Sequence, residues 1–160
     1  LGAVVSFEHM NKILSKIDEA EKSGGKILIG GKRKIIDGDL SDGYFIEPTV
    51  IEGLSYDCSV NQEEIFGPVL TLIPFENEDE VIMMANSTDY GLSASIFTEN
   101  ISKGHRVAAK IKSGVVWINT WLLRALRIPF GGMKKSGVGR EGGFKSLQFF
   151  TEPKNVCIKI

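Results

Sequence analysis

Gln62-Glu63-Glu64-Ile65-Phe66-Gly67-Pro68-Val69 carries two acids into an apolar corner and then into the run Val69-Leu70-Thr71-Leu72-Ile73. Proline lacks an amide donor and restricts the residue before it, so the Gly67-Pro68 pair stops any helix. The stretch reads as a loop delivering the chain into a strand, with the Glu64 carboxylate and the Phe66 ring presented at the strand's mouth. A carboxylate so placed accepts hydrogen bonds from sugar hydroxyls, and a ring beside it packs on a flat heterocycle. That pairing suits the ribose and base of a nucleotide. The same eight residues also read as a solvated acidic turn before a core phenylalanine, and alone they favour that plainer reading.

Outward from this stretch the pattern alternates. Val69 to Phe75 predicts a central strand. Asn77 then caps a helix whose first turn, Glu78, Asp79 and Glu80, suits the positive end of a helix dipole. Val81, Ile82, Met84 and Ala85 form its apolar side. Leu92 to Phe97 predicts a strand, Ile101 to Lys112 a basic amphipathic helix ending at Ser113-Gly114, and Val115 to Asn119 another strand. Upstream, Phe7, Met10, Ile13, Leu14 and Ile17 recur at helical spacing behind Ser6, and Gly24-Gly25 stops them. Lys26 to Ile29 predicts a short buried strand, Lys32 to Gly43 an exposed loop, and Tyr44 to Ile51 a strand broken by Pro48, hence a sheet edge. This alternation is the pattern of an α/β fold with parallel layering. Leu147 to Ile160 departs from it. Apolar and β-prone residues alternate there around Pro153, which predicts a terminal strand pairing at a sheet edge or docking on another subunit.

The totals narrow the classes. A chain of 160 residues predicts one domain with a real core, and 42% hydrophobic with 24% charged residues is ordinary for a soluble globular protein. A net charge of -1 supplies no general pull toward nucleic acid or anionic membrane, so neither is expected as a partner. No apolar run is long enough to span a bilayer. Cys58 and Cys157 lie far apart without a CxxC motif. They favour free thiols in a reducing compartment, although sequence leaves a single disulfide open. The cytoplasm is the expected location, with the mitochondrion as the alternative. His9 and His105 are isolated, so no metal site is expected. The chain opens at Leu1-Gly2 without methionine, which suggests processing or a piece of something longer.

The densest signal runs from Trp117 to Gly143. Glycines crowd its second half, from Gly131 to Gly143, which implies positive φ angles or close backbone approach, unless the stretch is a wandering surface loop. Gly137 to Gly142 has the spacing of a phosphate loop, yet it neither follows a strand nor opens a βαβ unit.

Taken together, these stretches resemble the aldehyde dehydrogenase superfamily. Glu63-Glu64-Ile65-Phe66-Gly67-Pro68 is similar to its cofactor-side motif, Asn86 with Tyr90-Gly91-Leu92 to a second segment, and Pro129 to Lys134 with Ser136-Gly137 and Gly139-Arg140-Glu141 to a third. The order and spacing are the family's, over essentially the whole chain. The resemblance implies the C-terminal part of a three-layer α/β/α catalytic domain over residues 1–146. It implies an oligomerisation strand over 147–160 that extends a partner subunit's sheet in a homodimer or homotetramer. It also implies NAD as cofactor, with NADP as the alternative. Glu64 matches the glutamate that hydrogen-bonds the nicotinamide ribose, and Phe66 a phenylalanine packed near the nicotinamide. Phe130 matches an aromatic residue bordering the aldehyde pocket, and Asn119 an asparagine that shapes it.

In this family a cysteine attacks the aldehyde, hydride passes to the dinucleotide, and a glutamate activates water to hydrolyse the thioester. Those residues lie upstream of the region matched here, and neither Cys58 nor Cys157 has the nucleophile's context or a neighbouring base. No catalytic residue is therefore expected in this chain, which alone should be inactive. Thr120 to Ile128 matches the loop lining the substrate entrance. Trp121-Leu122-Leu123-Arg124 followed by Ile128-Pro129-Phe130 is similar to dehydrogenases of 2-aminomuconic and 2-hydroxymuconic semialdehyde, where an arginine at the position of Arg124 takes the substrate carboxylate. Arg127 has no such match, and Lys134, Lys135 and Arg140 read as structural or solvent-facing. Two alternatives stand beside this reading: a betaine or aliphatic aldehyde dehydrogenase, and a non-catalytic module that kept only the oligomerisation strand.

Overall fold

The computed structural model describes residues 1–160, whose contacts gather into two units, Leu1–Thr88 and Asp89–Ile160. Length predicts one domain. The division falls between Thr88 and Asp89, just after a helix, where no glycine- or proline-rich linker marks it.

The first unit is built on helix α1, Phe7–Lys22. The Ser6 hydroxyl accepts the His9 amide at 3.1 Å and starts it, and the Ser23 amide closes it on the Glu19 carbonyl. Met10, Ile13, Ile17 and Ala20 recur on one face and are each at most 2% exposed. They pack with Ile46, Ile51, Leu54 and Val60, and Ile27, Ile65 and Val69 bridge the two halves of this core. Ile65 and Val69 flank Phe66-Gly67-Pro68, so the core anchors that corner on both sides.

Strands β1, Lys26–Ile29, β4, Thr49–Glu52, and β5, Val69–Leu72, form a sheet in the order β1-β4-β5. β1 runs antiparallel to β4, with Lys26 opposite Glu52. β5 runs parallel to β4, from Thr49 opposite Val69 to Glu52 opposite Leu72. Three expectations change here. β1 is an edge strand, so Leu28 and Ile29 are exposed rather than buried. Tyr44 to Ile51 splits at Pro48 into β3, Phe45–Ile46, and β4. β4 is the middle strand rather than an edge, because the proline sits in the link where no ladder donor is required. β5 stops at Leu72 and pairs with β4 alone, so it ends the sheet instead of centring it. The expected loop from Lys32 to Gly43 is largely exposed. It gives β2, Arg33–Lys34, to a short ladder with β3. A single turn, α2, Ser59–Gln62, precedes the Glu63-to-Pro68 loop. Helix α3, Glu78–Asn86, starts as its sequence predicts: Asn77 Oδ1 accepts the Glu80 amide at 3.0 Å, and the Glu80 carboxylate accepts the Glu76 amide at 2.6 Å.

In the second unit, β7, Ser93–Ile96, runs through helix α4, Ile101–Lys110, into the parallel strand β8, Val115–Ile118. β6, Tyr90–Gly91, pairs antiparallel with β9, Met133–Lys134. Around that short ladder, the Lys135 amide donates to the Asp89 carbonyl at 2.9 Å, and the Gly91 amide donates to the Ser136 hydroxyl at 3.0 Å. Tyr90-Gly91-Leu92 and the glycine-rich block are thus direct partners. Gly114 lets a third strand of chain into the same place: a Cβ on it would lie 1.6 Å from the Gly131 carbonyl oxygen.

The terminal strand expected over 147–160 is not formed within this chain. Leu147, Gln148 and Phe149 belong to helix α5, Gly143–Phe149, and residues 151–160 are exposed without regular structure. Phe144, Leu147 and Phe150 recur every three residues, a helical spacing hidden by the β-prone sequence beyond. A strand is made by its partner, and nothing in this chain pairs with residues 151–160.

The Asp89 carboxyl is held below its ordinary value by the Lys135 ammonium, Nζ to Oδ2 2.6 Å, and Lys135 is raised in return. Stability from Asp89 is present above its unfolded pKa and fades as pH falls through the lowered folded value. That from Lys135 is present below its unfolded pKa and fades as pH rises through the raised one. Carboxyl NMR titration is expected to place Asp89 below the usual aspartate value of about 3.9, and Lys135→Met should move it back up. An unmoved midpoint would mean that the pair does not form in solution. Packing gives a separate expectation. Gly114→Ala forces backbone apart and should cost about 1–3 kcal/mol, read as a lowered melting temperature. Gly2→Ala, with nothing within 4 Å of its Cβ, should leave melting unchanged.

Candidate functional site

Residues 63–68 belong to no helix or strand, so the presentation of Glu64 and Phe66 rests on side chains reaching the loop from elsewhere. The adjacent acids part company. The Glu63 carboxylate pairs with Lys16 Nζ at 2.8 Å; Lys16 also holds Glu19 at 2.9 Å, and Glu19 accepts the Ser59 hydroxyl. These bonds, that of Glu63 first, raise the half-buried Lys16 ammonium above its ordinary value. The Ser59 hydroxyl and then Lys16 lower Glu19. Glu64 is exposed and engages no other group of the chain. It lines a shallow cavity of about 280 Å³ together with Asn61, Phe66, Gly67, Val69 and Thr71.

Phe66 takes φ +55°, a left-handed conformation that costs a bulky residue of order 1–3 kcal/mol. Its ring is 76% exposed. His9 holds it from α1: Nε2 donates to the Phe66 carbonyl at 2.9 Å, and the two rings meet edge-on at 6.2 Å.

The second unit carries the remaining expected residues. Asn119 follows β8 at φ +55°, tolerable for asparagine. Its amide nitrogen donates to the Thr98 carbonyl and its oxygen accepts the Thr98 amide, both at 2.8 Å. Asn119 is expected among the substrate-binding residues; in the structure both ends of its amide are engaged by Thr98, next to the paired strands β7 and β8, which fixes where the following loop, Thr120 to Ile128, begins. Leu122 takes φ +56°, and the indole of buried Trp117 donates to the Leu123 carbonyl at 2.8 Å, pinning the residue before Arg124. Trp121 is 69% exposed.

Arg124 and Phe130 are brought together. The guanidinium carbon lies 3.9 Å from the ring centroid, a cation–π stack. The same guanidinium donates to the Glu141 carboxylate, while Phe130 and Glu141 exchange both backbone hydrogen bonds at 2.8 Å. Phe130 and Glu141 also line a cavity of about 320 Å³ with Leu92, Arg140, Phe149 and the intervening glycines. Arg140 is structural, donating to the Gly132 and Gly139 carbonyls at 2.9 and 2.6 Å. Cys58 and Cys157 are both free thiols.

Four residues of these half-sites escaped the sequence reading: His9, Lys16, Trp117 and Glu141. In sequence His9 is an isolated histidine without metal-ligand spacing. The one available signal was that residues 9, 13 and 16 share a face of α1, which puts a histidine and a lysine beside its apolar stripe.

Residues 1–156 match the Aldehyde dehydrogenase family. The chain is 48% identical over 160 residues to a 2-aminomuconic 6-semialdehyde dehydrogenase of Pseudomonas sp., covering 100% of this chain and 33% of that protein. It is 45% identical over 159 residues to a 2-hydroxymuconic semialdehyde dehydrogenase of Pseudomonas sp. (strain CF600), covering 99% of this chain and 33% of that protein. A crystal structure of betaine aldehyde dehydrogenase from Staphylococcus aureus in complex with NAD+ superposes with a TM-score of 0.88 at 47% identity, over 93% of this chain and 29% of that one. The chain spans about a third of the length of the curated relatives it matches. It belongs to the aldehyde dehydrogenase family.

Proposed function

We propose that the complete protein oxidises a carboxylated semialdehyde, of the 2-aminomuconic kind, to the acid with NAD. In this reading the chain supplies a ribose anchor, part of the substrate pocket and an oligomerisation segment. The observation that carries the substrate class is Arg124 stacked on Phe130 with a carboxylate already bound to it. A planar guanidinium set over a ring keeps its edge free for two parallel bonds to a carboxylate. Glu141 fills that role in the chain itself, so an incoming carboxylate would take its place or share it. A quaternary ammonium such as betaine aldehyde offers nothing to this group and would be repelled by it.

The dinucleotide fits the first unit's loop. Glu64 brings a carboxylate without an internal partner to the rim of a cavity, and Phe66 brings an exposed ring two residues on. Glu64 would accept the hydroxyls of the nicotinamide ribose, and Phe66 would pack against the nicotinamide side. When bound, the dinucleotide takes the hydride that leaves the aldehyde carbon. The nucleophile would come from outside this chain, because Cys58 and Cys157 have no neighbouring base, and the chain alone would be inactive. Val156, Ile158 and Ile160 occupy alternate positions in a wholly exposed segment, which supports residues 151–160 as a strand completed by another subunit's sheet. No helix is long and apolar enough to cross a membrane, and the cytoplasm is the compartment proposed.

Two substitutions in the complete enzyme test the substrate class. Arg124→Gln removes the group that takes the substrate carboxylate; because Glu141 already holds that group, the loss is the net worth of one hydrogen bond, about 1–1.5 kcal/mol, so KM for 2-aminomuconic or 2-hydroxymuconic semialdehyde should rise roughly 5- to 12-fold. KM for an uncharged aldehyde should stay within about twofold. An unchanged KM for the carboxylated aldehyde would sink the proposal. Glu141→Gln takes the internal carboxylate off Arg124. It should lower the inhibition constant of adipate, a simple dicarboxylate probe, whereas a raised constant would mean that Glu141 only holds Arg124 in place.

A further inference from the structure

We infer that one stripe of helix α1, His9, Ile13 and Lys16, sets the shape of the Glu63-to-Gly67 loop and thereby the nicotinamide-side affinity of the enzyme. His9 and Lys16 act as positioning residues that need not touch the dinucleotide. The inference rests on the reading of Glu64 and Phe66 as cofactor residues.

Spacings of four and three residues place positions 9, 13 and 16 on one face of α1, within two turns. Each meets a different part of the loop. Lys16 Nζ takes the Glu63 carboxylate at 2.8 Å. Ile13 sits under Gly67 so closely that a Cβ there would lie 2.7 Å from its Cδ1. His9 Nε2 donates to the Phe66 carbonyl at 2.9 Å and sets its ring edge against the Phe66 ring. Between the tethered ends stands Glu64, alone in having no partner.

Ordinary core packing explains Ile13 but not the other two. With its Glu63 end open to solvent, the pair adds little stability, so what Lys16 gives Glu63 is a direction, and Glu63 in turn fixes which way its neighbour leaves the backbone. The His9 bond lands on the one residue of the loop whose φ is left-handed. Without it, Phe66 would relax toward an ordinary φ and its ring, now 76% exposed, would swing toward apolar cover. A loop so released has to be ordered again at each binding event, and affinity falls by that cost although no contact to the ligand is lost.

The complete enzyme tests this by dissociation constants for NAD+ and for ADP, which lacks the nicotinamide ribose. His9→Leu and Lys16→Met should each weaken NAD+ about tenfold, the worth of an ordinary hydrogen bond, and leave ADP binding unchanged. His9→Gln, which keeps a side-chain N–H, and Lys16→Arg, which keeps the charge, should recover most of the loss. Equal loss for NAD+ and ADP would mean that α1 acts through general stability, and would overturn the inference; so would unaltered NAD+ binding in both His9→Leu and Lys16→Met. Glu64→Gln separates the two levels. If it weakens NAD+ while those two variants do not, the positioning idea alone fails. If Glu64→Gln itself leaves NAD+ binding untouched, the cofactor reading of the loop fails first.

Discussion

Burial of one face of α1 is the constraint on which the first unit depends. Fully burying a side chain the size of Met10, Ile13 or Ile17 is worth roughly 1.5–3 kcal/mol, against about 0–1 for an ion pair open to solvent at one end, such as Lys16–Glu63. The apolar stripe therefore decides where the helix lies, and its polar neighbours decide only what the helix does to the chain passing over it. Because Ile65 and Val69 pack into the same core, the corner between them is closed down onto α1. The strained φ of Phe66 has its setting in that packing, since its neighbours on both sides are committed inward while its own ring stands outward, and the His9 bond to its carbonyl holds it there.

The second unit solves a similar problem with backbone in place of side chains. Its loop Thr120 to Ile128 is held at its start by the Asn119 amide on Thr98 and in its middle by the Trp117 indole on Leu123. Its end is held by the paired backbone bonds of Phe130 and Glu141. Glycine at 114 matters here because the Gly131 carbonyl comes where a side chain would stand. Three short segments, Tyr90-Gly91, Gly114 and Gly131-Gly132, are thereby brought within backbone reach. That gives a physical cause for motifs that lie some forty residues apart in the chain.

Much of this was legible in the sequence where the cause is local. Helix starts at Ser6 and Asn77 depend on a capping side chain three residues from its target, and the strands Leu92 to Phe97 and Val115 to Asn119 on short apolar runs. What stayed hidden depends on partners far along the chain. Edge or centre is not a property of a strand's own residues, so Lys26 to Ile29, Tyr44 to Ile51 and Val69 to Phe75 were given the wrong places. The terminal segment was read for the partner it lacks here, and its first residues obeyed a helical period instead. In the candidate site, Glu64, Phe66, Arg124 and Phe130 stand out in the sequence because a whole motif surrounds each. His9 was not, since nothing near it in sequence announces a carbonyl 57 positions away.

Glu63 and Glu64 show how far such remote partners reach into chemistry. Their side chains are identical and their positions adjacent, yet one is neutralised by Lys16 and the other meets solvent. Arg124 and Glu64 differ in the same way. Under the proposed reading, a hydroxyl arriving at Glu64 would replace only water, because the group has no bond within the chain to give up. Binding at Arg124 exchanges one carboxylate for another. A neutral aldehyde cannot displace Glu141 and leaves the pair as it is, whereas a carboxylated one replaces a bond of the same kind and brings its own apolar contacts besides. Under the proposed reading, the internal ion pair is therefore a selector: it costs the intended substrate little and gives an uncharged competitor no foothold on the arginine.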